Sequence, residues 1–469
     1  MQPPVITRFA PSPTGYLHIG GARTALFNYL FAKRHGGKFL LRIEDTDRAR
    51  HNQDAVDAII NGLNWLGCSP DEPATSQYES RERHVEIAHQ LLESGHAYRC
   101  YLTPEELDDA REKALADKTR FESPWRERTD YPAGKPFAIR FKAPQAGETV
   151  LEDAVQGNVT IPNTSLDDMI ILRSGDDDKS HNGPTYNLAV VVDDYDMGIT
   201  HIIRGDDHLI NGARQQQIYE ALGWPVPVWA HIPLIHGQDG KKLSKRHGAL
   251  GVEAYRDMGY LADGLANYLL RLGWAHGDQE FFTSEEASSL FELNGINKSP
   301  ARLDLDKLDH INSHYIRNLS NTDFVTRGMA FLDDEKHSRP DVENALLRGA
   351  AFLKERCANL SQFGPAAGFI TTRRPLEITG KAAKPLKKDG AQETLLEVIN
   401  LLKTLEKWDN ADDLDAALQT FADEKGVGFG QVGQPVRASL TAGMPSPTLG
   451  QVLFALGKEE SLSRLDDQL

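Results

Sequence analysis

The stretch Val5-Ile-Thr-Arg-Phe-Ala-Pro-Ser-Pro-Thr-Gly-Tyr-Leu-His-Ile-Gly-Gly21 decides the fold. Val5 to Phe9 read as a short buried strand. Ala10 to Gly15, with two prolines and a glycine, cannot continue it and must turn. From Gly20 the period changes: Ala22, Ala25, Leu26, Tyr29 and Leu30 recur at helical spacing, and Gly36-Gly37 ends that helix. Lys38 to Glu44 form a second strand. Val56, Ile59, Ile60, Leu63 and Leu66 stripe a second helix, which Gly67 stops. Strand, helix, strand, helix is the pattern of a parallel α/β sheet.

Between about 87 and 185 the texture changes. A charged helical stretch, Thr103 to Lys118, precedes short strand-like runs such as Phe137 to Phe141. Buried-strand texture returns at Leu188-Ala-Val-Val-Val192, so an inserted domain interrupts the first one. Residues about 241–318 read as mainly helical. Beyond about 320 the chain reads as mostly helical, with a Lys/Arg-rich, Pro-containing linker near 372–388.

A length of 469 residues suggests three or four domains. No apolar run is long enough to span a membrane, and the first residues lack the pattern of a secretory signal. Cys68, Cys100 and Cys357 lie far apart, which fits a reducing cytosol and excludes a disulfide framework. The formal net charge of −16 argues against a nucleic-acid coat protein. It leaves room for an RNA-binding enzyme, because phosphate contacts need only a local basic strip.

Two motifs carry chemistry. Leu17-His-Ile-Gly-Gly21 sits at a strand–turn–helix junction, where helix N–H groups and the helix dipole suit a triphosphate. His18 is placed to donate to a phosphoryl oxygen, and Gly20 lets the backbone approach a base or phosphate. Taken alone, the motif also fits a glycine-rich helix entry with an incidental histidine. Asp239-Gly-Lys-Lys-Leu-Ser-Lys-Arg-His247 packs four cations into six positions after an apolar run and a turn. Most such runs are solvated loops. A mobile loop at a strand end, however, brings Lys245 over a triphosphate, where its charge stabilises a phosphoryl transition state.

Together these residues resemble the paired HIGH and KMSKS signatures of class I aminoacyl-tRNA synthetases. Their flanks, Arg8 to Gly15, Arg42-Ile-Glu-Asp-Thr-Asp47, Thr185-Tyr-Asn-Leu188, Val192-Asp-Asp194 and Ile203-Arg-Gly-Asp-Asp-His208, resemble those of bacterial glutamyl-tRNA synthetases. The fourth HIGH position is Gly21, so one imidazole is absent. The resemblance implies an α/β fold: a Rossmann-like parallel-sheet catalytic domain with an inserted α+β acceptor-binding domain, then mainly α-helical stem-contact and anticodon-binding domains. The implied division is 1–86 and 186–240 for the two catalytic halves and 87–185 for the insert. The stem-contact domain with its KMSKS-like loop is 241–318. The anticodon region is 319–469, split near 385.

The same resemblance implies ATP-dependent ligation of glutamate to tRNA-Glu through a glutamyl-adenylate, with Mg²⁺ on the pyrophosphate. It maps glutamate binding onto Arg8, Ala10, Ser12, Glu44, Tyr186 and Arg204. It maps ATP contacts onto His18, Gly20, Asp207, Lys242 and Lys245, and anticodon reading onto Arg356. The physical logic agrees: an acidic side chain needs a fixed guanidinium, and Arg8 and Arg204 supply two. Glu44 then pairs with the substrate ammonium, although Arg8 and Glu44 on neighbouring strands could simply pair with each other. The family also implies that tRNA must be bound before glutamate is activated, and a monomeric, cytoplasmic enzyme is expected. Some members carry zinc in the insert. Here Leu102 replaces the second cysteine of Cys100-Tyr-Leu102, and Ser123 to Asp130 offer neither Cys nor His, so no zinc is expected. Alternatives are a relaxed enzyme that also charges tRNA-Gln, a tRNA-independent adenylyltransferase, and a catalytically dead RNA-binding module. The long C-terminal region argues against the second, and Lys245, Arg8 and Arg204 against the third.

Overall fold

Ile6–Phe9 (β1) pairs in parallel with Lys38–Ile43 (β2), with Arg8 opposite Leu40. The pairing begins where Lys38 N–H donates to Val5 O at 2.9 Å. Gly37 is required there, since a Cβ on it would lie 1.8 Å from that carbonyl oxygen. Between the strands runs Ile19–Arg34 (α1), which buries Ala22, Ala25, Leu26, Phe27, Leu30 and Phe31. Gln53–Trp65 (α2) follows, and Thr75–Ser76 (β3) completes a sheet in the order β1-β2-β3. The strand–helix–strand–helix reading of residues 5–67 is what this computed structural model contains. It describes residues 4–13, 15–47, 52–117, 119–241, 243, 250–332 and 340–469.

After Arg81–Glu93 (α3) the chain builds a four-stranded antiparallel sheet. It joins Ala97–Cys100 (β4), Ala138–Phe141 (β5), Ile170–Ser174 (β8) and His181–Pro184 (β9), and Pro104–Ala116 (α4) lies between its first two strands in sequence. Glu148–Asp153 (β6) and Gly157–Pro162 (β7) are a hairpin from the same stretch of chain but belong elsewhere. Through Trp229 opposite Asp153, β6 extends the parallel pair His201–Gly205 (β10) and Val228–Ile232 (β11), in the order β10-β11-β6-β7. Thr200 N–H donates to Ile6 O at 2.9 Å, which brings the start of β10 beside β1. Ile235–His236 (β12) pairs with Ala301–Arg302 (β13).

Residues 188–192 are not a strand. They lie inside the helix Tyr186–Asp196 (α5), with Leu188 to Val192 all at 1% exposure or less. An apolar run buried on every side has no amphipathic period, so its sequence cannot separate a buried helix from a buried strand. The helix Leu209–Leu222 (α6) packs beside it and ends at Gly223 in the left-handed conformation.

The chain divides into two compact units. One comprises residues up to Ala254 with Ala266–Asp304, and the other Tyr255–Leu265 with Leu305–Leu469. The second is built of helices around one apolar core that includes Phe324, Leu346, Leu353, Phe363, Val398, Leu418, Val436 and Leu453. The basic stretch near 372–388 runs as turns with one short 3₁₀ segment at Pro385–Lys387, and Arg374 pairs with Asp467 at 3.1 Å.

Candidate active site

In an open parallel sheet, ligands sit beyond the carboxyl ends of the strands. There, between the ends of β1 and β10 and the start of α1, lies a cavity of about 420 Å³. Its wall includes Arg8, Ala10, Ser12, His18, Gly20, Glu44, Tyr186, Arg204 and Asp207, so residues up to about 200 positions apart converge on one space. A neighbouring cavity of about 760 Å³ shares Ser12, Glu44 and Tyr186 and adds Thr46, Asp47, Gln77 and Arg173. Lys242 and Lys245 lie outside the described residues. Arg356 belongs to the helical unit, exposed in the turn that follows the helix Pro340–Lys354.

His18 caps α1: its Nδ1 accepts from Gly21 N–H at 3.1 Å. One of the helix N–H groups expected to be open is therefore already taken. A neutral His18 in this arrangement carries its proton on Nε2, as donation to a phosphoryl oxygen requires.

Arg8 does not pair with Glu44. Its Nε and Nη2 grip both oxygens of Asp194 at 3.0 and 3.2 Å, and the Asp194 side chain is wholly buried. Arg42 Nη1 adds 2.6 Å to the same carboxylate. Burial alone would raise Asp194, but Arg42 and Arg8 outweigh it and hold its pKa below the usual range. Asp193, the next residue, is held by His84 at 2.6 Å and Gln77 at 2.8 Å. Glu44 is left with a looser contact, 3.6 Å to Arg42 Nη2. Burial pushes its carboxyl up to about 7, more than Arg42 and Arg8 pull it down.

Arg204 is built differently. It is 7% exposed, yet it has no carboxylate within ion-pair distance among the described residues. Its Nε donates to His231 Nε2 at 3.1 Å, Nη1 to Gln215 Oε1 at 2.8 Å and Nη2 to His208 O at 3.4 Å; the guanidinium lies 5.3 Å over the Trp229 ring. Burial lowers its pKa from the usual guanidinium value. A desolvated charge held only by neutral acceptors is costly unless an anion joins it. Across the cavity wall, Tyr186 Oη meets His208 Nδ1 at 3.1 Å.

In the inserted stretch, Cys100 packs with Tyr98 and Trp125 and accepts from Arg140 Nε at 3.3 Å. Among the described residues no group of three or more His, Cys, Asp or Glu side chains could hold a metal. Sequence reading missed the anchoring carboxylates Asp193 and Asp194, and also His231. The signal was available: two acids that end an apolar run must be buried, and buried acids need partners.

Residues 4–310 match the family of tRNA synthetases class I (E and Q), catalytic domain, and 323–469 match an anticodon binding domain. Glutamate–tRNA ligase 2 of Maricaulis maris is 54% identical, with 99% of this chain and 96% of that protein covered. A glutamate–tRNA ligase of Nitrobacter winogradskyi is 52% identical, with 100% and 99% covered. The chain belongs to the glutamate–tRNA ligases. A crystal structure of a glutamate tRNA ligase from Elizabethkingia meningosepticum in complex with its amino acid aligns over 99% of both chains, with a TM-score of 0.87 and 31% identity. For a class I synthetase of this family, ATP is a substrate. No helix among the described residues is long and apolar enough to cross a membrane.

Proposed function

We propose that this glutamate–tRNA ligase receives the side-chain carboxylate of L-glutamate at Arg204, with Arg8 close by and Glu44 on the α-ammonium. The observation that carries the assignment is the buried Arg204 guanidinium, which has no carboxylate partner among the described residues. Ala10, Ser12 and Tyr186 close the amino-acid pocket. His18, Gly20 and Asp207, with Lys242 and Lys245, bind ATP.

The α-carboxylate is already a nucleophile, so no general base is needed. One of its oxygens attacks the α-phosphorus, the bond to the β-phosphate oxygen breaks, and pyrophosphate leaves. The site's work is to align the reactants and stabilise the developing charge. Mg²⁺, when bound with ATP, would neutralise charge on the leaving pyrophosphate. A ribose hydroxyl of the tRNA 3′ end, lodged in the larger neighbouring cavity, then attacks the adenylate carbonyl. The carbonyl–phosphate oxygen bond breaks, and the hydroxyl proton passes to the phosphate of the departing AMP.

The five-segment division given by sequence, a monomer, cytoplasmic location and the absence of zinc are part of this proposal. Glutamine leaves Arg204 facing a neutral amide. A site built on such a contact rejects the analogue by roughly 10⁴. Pyrophosphate exchange with glutamate and with glutamine, run with and without tRNA, tests the assignment. Comparable specificity constants for the two amino acids would refute it. Charging of tRNA-Glu and tRNA-Gln side by side decides whether the enzyme is discriminating. Metal analysis that found one zinc per chain in tag-free protein would remove the zinc-free part.

A further inference from the structure

Arg204 and His231 are register partners on the adjacent parallel strands β10 and β11, and Asp153 enters from β6, opposite Trp229. Their side chains form a buried line. Arg204 Nε donates to His231 Nε2 at 3.1 Å, and His231 Nδ1 meets Asp153 Oδ2 at 2.6 Å. The His231 and Asp153 side chains are both fully buried. The proton positions follow from valence. An arginine Nε can only donate, so His231 Nε2 must present its lone pair. The ring is then neutral, and its single proton sits on Nδ1 and points at Asp153.

We propose that Asp153 and His231 are positioning residues for glutamate recognition: the carboxylate fixes the imidazole tautomer, and the imidazole holds Arg204 in register without neutralising it. This rests on Arg204 receiving the substrate carboxylate, as proposed above. The contrast with Arg8 gives the reason. Asp194 grips Arg8 directly and offsets its charge. An aspartate touching Arg204 would compete with the substrate for the same donors. With an imidazole between them, the anion stands one ring away and the guanidinium keeps its appetite for a carboxylate. Nη1 and Nη2, each with one hydrogen bond, retain a further N–H apiece for that ligand.

Asp153 is suited to the task. Its Oδ1 accepts from the backbone N–H of Val155 at 2.9 Å and Gln156 at 2.8 Å. In an Asp153→Asn variant those two donors demand that the amide oxygen take the Oδ1 position. The NH₂ is thereby forced into the Oδ2 position, where it meets His231 Nδ1, drives the ring proton to Nε2 against Arg204 Nε–H, and takes from the His231 backbone N–H its acceptor at 3.0 Å. A wrong tautomer with geometry kept is a known way to disable such a line.

The experiment measures KM for glutamate, KM for ATP and kcat in the full-length enzyme with tRNA. We expect Asp153→Asn and His231→Phe each to raise KM for glutamate at least tenfold, with kcat at saturating glutamate and KM for ATP within about threefold of the parent. His231→Gln, which restores an acceptor but not the ring's shape, should recover part of that loss. A merely structural role ranks the two in the opposite order, because phenylalanine keeps the ring. An unchanged KM for glutamate in His231→Phe, or a better enzyme from phenylalanine than from glutamine, overturns the proposal, and this ranking decides it even if Asp153→Asn fails to fold. Arg204→Ala is run in parallel. If it leaves KM for glutamate unchanged, the Arg204 assignment itself falls and the positioning role with it. If it raises KM while the His231 variants do not, only the positioning role falls.

Discussion

Each of the two units buries an arginine, and the two are used in opposite ways. In the helical unit, Arg464 is 1% exposed and fully engaged. Its Nη1 donates to Phe369 O and Leu440 O at 2.6 and 2.8 Å, Nη2 to Thr372 O at 2.9 Å, and Nε to the Glu460 carboxylate at 2.7 Å. It closes the carboxyl ends of the helices Phe363–Thr371 and Phe429–Thr441, where carbonyls lack helical partners and a cation is favoured. In the parallel-sheet unit, Arg204 is also buried but is held by a neutral imidazole, an amide and one long carbonyl contact. A satisfied buried charge marks architecture. One short of a counter-ion among the described residues, and on a cavity wall, is suited to an anionic ligand.

The largest effect that separates the two is Arg204→Ala. Truncating one side of a buried charge pair costs about 2–5 kcal/mol, so kcat/KM for glutamate should fall by roughly 30-fold to several thousandfold. The melting temperature should fall less than for a satisfied buried arginine, because removing a desolvated charge with no ion pair among the described residues offsets the loss of its hydrogen bonds to His231 and Gln215. A variant with parental kcat/KM would break the comparison at its functional end.

Arg464→Met should do the reverse. It strands the carbonyls of Phe369 and Leu440 in a dry interior and that of Thr372 at its partly buried edge, and each buried group left unpaired costs about 1–3 kcal/mol. Denaturant unfolding of the helical unit should shift by about 2–4 kcal/mol in total, since relaxation spares part of that sum. KM for glutamate, measured well below the transition, should not move. A stable Arg464→Met protein would show that this arginine is not architectural.

The sheet unit was legible where periods alternate. Val5 to Glu44 switch between strand and helix spacing, and the glycines fall at chain reversals, as Gly36 with its φ of +61° does. The cavity wall was legible through resemblance, residue by residue, and the geometry gathers those residues in one place. Two things escaped. Leu188 to Val192 look like a strand because a helix buried on all sides has no polar face to set its period. Asp153 and His231 escaped, and the partner of Asp194 with them, because each partner lies tens to more than a hundred residues away and long-range pairing leaves no mark in local spacing. The helical unit shows the same limit, for nothing near Arg464 in sequence announces the carbonyls of Phe369 and Leu440.

A smaller effect sharpens the comparison within the helical unit. Arg356 is exposed and has no ion pair among the described residues, in contrast to Arg374, which is bound to Asp467. A planar guanidinium can stack on and hydrogen-bond to unstacked anticodon bases, whereas lysines such as Lys387 and Lys388 hold phosphates without reading sequence. Arg356→Ala should alter discrimination between anticodons that differ by one base, by about 1–3 kcal/mol. Neutralising Lys387 and Lys388 should weaken all tRNAs alike and flatten the salt dependence. Charging of tRNA-Glu and its anticodon variants separates the two. A common loss factor for every tRNA with Arg356→Ala would return that arginine to the architectural class.

The smallest effect concerns Glu44, which sits among the same charges as Arg204 but is the acid of the site. Burial, only partly offset by Arg42 and Arg8, raises its carboxyl from 4.5 to about 7 in the free enzyme. Pairing with an α-ammonium requires the anion, so below about pH 7 a proton must leave before glutamate binds. KM for glutamate should therefore rise as pH falls, by up to about tenfold per pH unit, or about 1.4 kcal/mol. The stability side has a matching sign. An acid with a raised pKa favours the free fold below pH 4.5, and that advantage is lost as pH rises through 7. If bound glutamate adds its ammonium to Glu44, as proposed, the melting shift it produces should grow across the same window. Arg204 does not titrate there, because a guanidinium keeps its proton. His208, whose pKa burial lowers, also faces the cavity, so the limb must be assigned by substitution. Glu44→Gln should raise KM at every pH and abolish the acid limb. A limb that survives in Glu44→Gln belongs to another group, and a KM that is flat between about pH 6 and 8 in the parent enzyme removes Glu44 from the ammonium site.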